Sequence, residues 1–276
     1  MKITAQQVNE LRKLTGAGMM DCKKALVESE GDMEKAVDVL RKKGQKVAAS
    51  RAGRDAAEGV VLAKVSDDKT YAAAVMINCE TDFVAKNSDF IGYVNSIIDL
   101  AIQSKVKSVE ELSGLELKGG RTVGETIIDQ TGIIGEKIQL GNFGFVLADS
   151  TYAYIHPGNR LATVAGFNKA GDDFAVAGKD VVMQIAAMSP VALDKDAVSD
   201  EVIAREIEIG KDQARQAGKP ETMLEKIAMG KLNKFFKENT LLNQSFIKDG
   251  KKNISQYLQE TDKDLTVVDF KRLALV

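Results

Sequence analysis

Tryptophan is absent, histidine occurs once, cysteine twice, and aromatic residues make up 5% of the 276 residues. So few aromatics leave little material for a platform on which bases or sugars could stack. Cys22 and Cys79 stand far apart without a repeated spacing. Neither a disulfide framework nor a zinc site of clustered cysteine and histidine is therefore expected, and a reducing compartment fits. The single histidine, His156, has no G-x-S-x-G nucleophile elbow to serve. Carboxylates are plentiful, but at the spacing of solvated helix faces rather than of a paired acid and base. The G-x-G of "TGAGMM" and the Gly-Lys of "GKDVV" do not complete G-x-x-x-x-G-K-[ST], and the first follows a helical pattern instead of a strand. The expectation is a protein that acts by contact: not an enzyme, with no cofactor, metal or direct nucleotide site.

Neither sign of charge is in clear excess. Lys and Arg number 38 against 40 Asp and Glu, a net −2, which gives no electrostatic case for nucleic acid or a membrane as partner. No apolar run approaches the roughly 20 residues that a membrane span needs. The N-terminal "MKITAQQVNELRKL" lacks the apolar region of a secretory signal. A soluble, cytoplasmic protein is expected.

What is present is periodicity, and it changes along the chain. Residues 4–43 read as three short helices. Thr4 and Gln7 fit a capping box, and Val8, Leu11 and Leu14 continue the stripe. Gly16 and Gly18 break it, a second helix carries Cys22, Ala25 and Leu26, and Asp32 caps a third with Met33, Ala36, Val37 and Leu40 on one face. The stretch 41–59, rich in small and basic residues, reads as a tether, helical in part at most. From Gly59 the period becomes two. "GVVLAKV" and "TYAAAVMINC" flank the turn residues "SDDK" as a hairpin, and a helix follows with Phe90, Val94, Ile97 and Ile98 on one face. Residues 122–132 predict another helix.

The pattern then recurs. "IQLGNFGFVLA" and "RLATVAGFNK" read as strands around the break "DSTYAYIHPGN", and "GKDVVMQIAAM" resembles "GYVNSIIDLAI". This predicts an α+β fold with two duplicated core subdomains. Helices at 199–217 and 220–238, turned by Gly218 and Pro220, form an antiparallel hairpin. Its apolar stripe suits either a homodimer contact or packing on its own chain. The expected division is 1–44 helical, 45–58 linker, 59–140 first subdomain, 141–190 with 232–276 second subdomain, and 191–231 inserted hairpin.

The junction "NCETDFVAKN" (78–87) sets an acid beside a large aromatic between a strand and a helix. Periodicity leaves Phe83 two places. Seven residues ahead of Phe90, it joins the core stripe if the helix is continuous. If the cap and turn formers Asn87, Ser88 and Asp89 break the helix, it faces outward.

Together, "LRKLTGAGMMDCKKAL" (11–26) with "GD" (31–32), and "NCETDFVAKN" with its Thr-Asp-Phe-Val signature, resemble the bacterial translation elongation factor Ts family. Weaker likenesses follow in "IIGE", "YIHPGNRLA", the hairpin with "GKP", and "SFIKDGKKNISQYL", so that the resemblance covers essentially the whole chain. It implies a ubiquitin-associated-like domain for the three helices, a core of two α+β subdomains, and a helical insertion in the second. It also implies a nucleotide exchange factor for the GTPase elongation factor Tu, itself binding no nucleotide. Thr81, Asp82, Phe83 and Val84 would reach the Mg²⁺ and switch region of that partner. Arg12, Met19 and Met20 would dock a helix of it, although either methionine could instead close the small core. Ile134, Gly135 and His156 would reach other parts of it, although a lone histidine is as often structural. Pro157 departs from the family expectation and would stiffen its loop. A C-terminal helical module found in many members is not expected before Val276. The competing expectation is a ubiquitin-associated-like adaptor that binds peptides or nascent chains without exchange activity.

Overall fold

Thr4 opens the first helix as its spacing predicts. Its hydroxyl accepts the Gln7 N–H at 3.2 Å, and the Gln7 carboxamide accepts the Thr4 N–H at 3.0 Å. The computed structural model describes residues 3–275. Helix α1 (Ala5–Thr15) stops where Gly16 takes φ 75°, a left-handed cap that glycine adopts without strain. Helix α2 (Met19–Glu28) and helix α3 (Met33–Arg51), capped by Asp32, complete the N-terminal unit. Leu11, Cys22, Leu26 and Ala36 close its small core.

The hairpin β1 (Glu58–Val65) and β2 (Tyr71–Cys79) follows. A single turn, α4 (Asp82–Ala85), leads to α5 (Ser88–Ser104) and α6 (Val109–Gly114). The short ribbon β3 (Glu116–Lys118) and β4 (Arg121–Thr122) precedes α7 (Val123–Ile134) and β5 (Gln139–Leu147). Strand β5 pairs with β2, giving the order β1-β2-β5. Residues 141–147, expected in the second subdomain, therefore lie in the first sheet.

The chain turns at once into β6 (Ser150–Ile155) and β7 (Leu161–Phe167), then α8 (Ala175–Met188). Strand β6 occupies the stretch expected to be a break. Its alternation explains the strand: Tyr152 and Tyr154 pack on one core, while Ala153 and Ile155 pack on another. Helices α9 (Asp200–Gln216) and α10 (Glu221–Asn239) form the hairpin, joined at its base by an Ala192–Thr240 bridge. It thus extends past the boundary expected at 231. Strands β8 (Ser245–Phe246) and β9 (Asp249–Asn253), helix α11 (Ile254–Thr261) and strand β10 (Val267–Ala274) finish the chain. Strand β10 pairs with β7, so the second sheet runs β10-β7-β6.

The sheets stack. One face of the first, through Val60, Leu62, Val75 and Ile77, packs on α5 and α7. Its other face, through Val61, Ala63, Ala72 and Ala74, meets Ala162, Val164 and Leu273 of the second. The far face of the second, through Ala165 and Phe167, packs on α8 and α11. The result is a mixed helix-and-strand fold of α+β type, with two sheets inside and helices outside. No helix among the described residues is long and apolar enough to cross a membrane.

Helix α3 does not end near residue 43. It runs through Gly44 to Arg51 and takes half of the expected linker. Packing is the cause, because α3 crosses α7 at two glycines. A Cβ on Gly132 would lie 2.5 Å from the Gly44 Cα, so only hydrogen at Gly132 allows the approach. Ile133 of α7 packs on the small N-terminal core. The three-helix unit is thereby seated on α7 rather than hung from a tether.

Candidate functional site: an exposed turn after the second strand

Strand β2 ends on Cys79, whose buried thiol donates to the Thr81 carbonyl at 3.2 Å. Burial, with the Glu136 and Glu58 carboxylates nearby, pushes that thiol up to about 12. It is a neutral packing group at physiological pH.

Beyond it two turns interlock. The Thr81 N–H donates to one Glu136 oxygen at 3.0 Å, and the Thr81 hydroxyl to the other at 2.7 Å. In return, the Glu80 carboxylate accepts the Lys137 N–H at 2.6 Å. Arg51, the last residue of α3, donates to both Glu80 oxygens at 2.9 Å. The Lys137 ammonium donates to the Ala52 and Arg54 carbonyls, each at 2.9 Å. The Lys137 N–H first, and Arg51 second, hold the Glu80 carboxyl below the usual carboxylate range. Gly135, at φ 81°, permits the reversal that brings Glu136 back toward Thr81.

Thr81 begins α4, which lasts one turn. Asn87 then caps a new helix, accepting the Asp89 N–H at 2.8 Å and the Phe90 N–H at 3.3 Å. This break decides between the two places for Phe83. Phe90 enters the core, Val84 lies half-buried against it, and Phe83 stands 83% exposed. Asp82 is half-exposed and accepts from the Lys86 ammonium at 2.6 Å, which keeps its carboxyl below the ordinary range.

Thr81, Asp82, Phe83 and Val84 thus share one turn, and the Glu136 clamp brings Ile134 and Gly135 beside it. His156 lies in the β6–β7 turn, where its Nδ1 meets the Tyr154 hydroxyl at 2.9 Å. Arg160 of that turn pairs with Glu58, which stands opposite Cys79 in the ladder. His156 therefore belongs to the same end of the first sheet. Arg12, Met19 and Met20 occupy a different surface, on α1 and α2. Both methionines lie outside the small core, at 55% and 61% exposure, and Arg12 is also exposed.

The clamp residues Glu80, Glu136 and Arg51 escape the sequence reading. "IIGE" was visible as a motif, but nothing local says that its acid reaches a threonine 55 residues earlier. Chemically, the turn presents an aromatic ring and a carboxylate to the outside.

Residues 80–276 match the family model described as Elongation factor TS. An elongation factor Ts from Cytophaga hutchinsonii is 53% identical over 274 residues, covering 99% of each chain. One from Christiangramia forsetii is 52% identical over 274 residues, again 99% of each. One from Porphyromonas gingivalis is 50% identical over 275 residues, covering 100% of this chain and 99% of the relative.

Proposed function

The chain belongs to the elongation factor Ts family of translation elongation factors, and from that premise we propose that it is a guanine nucleotide exchange factor for the GTPase elongation factor Tu. It works in the cytoplasm by contact, binds no nucleotide or cofactor itself, and catalyses no covalent step. We read its N-terminal helices as a ubiquitin-associated-like unit and its two sheets as duplicated subdomains. What supports the duplication is that each sheet consists of a hairpin, a helix after its second strand, and a later strand on that strand's free edge.

The observation that carries the exchange reading is the 83% exposure of Phe83 beside Asp82. A GTPase holds its guanine nucleotide through Mg²⁺ that bridges phosphate oxygens and protein ligands. A factor accelerates release only by binding the nucleotide-free state better than the loaded one. Nucleotide then weakens the factor by the same ratio that the factor weakens nucleotide. In this reading the Phe83 ring enters an apolar gap near the switch region and displaces the elements that hold Mg²⁺. Asp82 adds negative charge there, and Thr81 and Val84 hold the turn in shape. Met19, Met20 and Arg12 dock a helix of the GTPase, while Ile134, Gly135 and His156 extend the contact.

Release of a fluorescent GDP from elongation factor Tu tests this. The intact chain should accelerate release, and Phe83→Ala should lose roughly thirtyfold of that acceleration, the counterpart of about 2 kcal/mol for an aromatic anchor. Full acceleration by a folded Phe83→Ala variant would remove the wedge. No acceleration by the intact chain would favour a peptide-binding adaptor instead.

A further inference from the structure

An aromatic ring with most of its surface in solvent has little packing to fix its direction, so the backbone under it must do so. Here that backbone is held by one carboxylate. Glu136 takes both donors of Thr81, the N–H at 3.0 Å and the hydroxyl at 2.7 Å, and Thr81 is two residues from Phe83. The Thr81 hydroxyl reaches the Val84 N–H only at 3.5 Å, so the cap of the one-turn helix is weak and the outside carboxylate supplies the stronger hold. Glu136 is half-buried and follows the left-handed Gly135, which leaves its carboxylate few alternative positions. The reciprocal bond from Lys137 to Glu80, at 2.6 Å, prevents the two turns from sliding past each other.

From this geometry we infer that Glu136 is a positioning residue for exchange: it aims Phe83 by holding Thr81, and touches neither nucleotide nor Mg²⁺. The inference rests on the exchange reading above. It separates two quantities that a loss of folding would not separate. Docking through the N-terminal helices sets how much factor is needed. The direction of Phe83 sets how fast bound GTPase releases GDP once saturated.

The test is a titration of GDP-loaded elongation factor Tu with the full chain and its variants, reading maximal release rate and half-saturating concentration separately. Glu136→Ala should lower the maximal rate roughly tenfold and leave the half-saturating concentration within about twofold. Thr81→Val keeps the backbone donor and loses the hydroxyl, so it should lower the maximal rate about threefold. Glu136→Ala placed on Phe83→Ala should lose nothing further, because the residue acts through the ring. A wild-type maximal rate for Glu136→Ala overturns the inference, as does a loss that multiplies with that of Phe83→Ala. Were Glu136→Ala to misfold, Thr81→Val decides alone: an unchanged maximal rate overturns the inference. If Phe83→Ala slows release while the clamp variants do not, the exchange reading stands and the positioning role falls. An intact chain that never accelerates release removes both.

Discussion

The first Asp-Phe pairs after the β1–β2 and β6–β7 hairpins end in opposite places in this molecule. Asp82-Phe83 follows β2, and Asp173-Phe174 follows β7. Phe174 is the residue just before α8, so its ring falls half-buried on the core built by that helix with Phe167. Phe83 is separated from α5 by a complete extra turn and a second cap at Asn87, and its ring points to solvent. The same dipeptide is a packing residue in one unit and a displayed residue in the other. The difference lies in the four residues Val84 to Asn87, which let the first helix begin late. Burying a phenylalanine normally stabilises a fold by about 2 kcal/mol. Leaving Phe83 outside forgoes that gain and suits a ring whose use lies in a partner.

The largest expected effect inside the fold is on the buried member. Phe174→Ala should cost about 2 kcal/mol of stability, less than a full core truncation because the ring is half-buried. Chemical denaturation would show it as a lower midpoint with an unchanged slope. GDP release by the folded fraction should not change; a selective loss of release would mean that the second junction also contacts the GTPase.

A smaller effect tests the turn itself. Asn87→Ala removes the acceptor for the Asp89 and Phe90 N–H groups and should cost about 1 kcal/mol. It should also let α4 run toward α5 and swing Phe83 toward the core stripe. Release should then fall several-fold more than the stability loss explains. If stability falls and release does not, the cap at Asn87 is not what displays the ring.

The smallest effect concerns the neighbouring acid. Lys86 holds the Asp82 carboxyl below its ordinary range, so the pair contributes above that range and is lost as pH falls through the lowered value. Lys86→Ala should move the Asp82 titration up toward the ordinary carboxylate range, seen by NMR of the carboxyl carbon. Melting at neutral pH should be unchanged, because exposed pairs contribute little.

Much of this contrast was legible in residues. The Thr4–Gln7 box, the Asp32 cap, the Phe90-to-Ile98 stripe and the Gly218–Pro220 turn are local signals, and each falls where its chemistry puts it. The break at Asn87 was legible as one of two options, because cap residues compete with helical periodicity over only a few positions. What stayed hidden depends on contacts distant in sequence. The stretch 41–59 reads as a tether because Gly132, which Gly44 packs against, lies on another helix. Strand β5 reads as the start of the second subdomain because only pairing with β2 assigns it to the first sheet. Strand β6 reads as a break in the sequence because His156, Pro157 and Gly158, which mark its turn, outweigh the alternation before them. The Glu136 clamp is hidden because it joins residues 55 apart in the chain.

The outward ring as the origin of exchange is tested most directly by calorimetry on the partner in two states. The affinity of the chain for nucleotide-free elongation factor Tu is divided by its affinity for the GDP-loaded form, and the ratio is compared with that of Phe83→Ala. The account predicts that the substitution lowers the ratio roughly thirtyfold at an unchanged melting temperature. An unaltered ratio would contradict it, whatever the substitution did to either affinity alone.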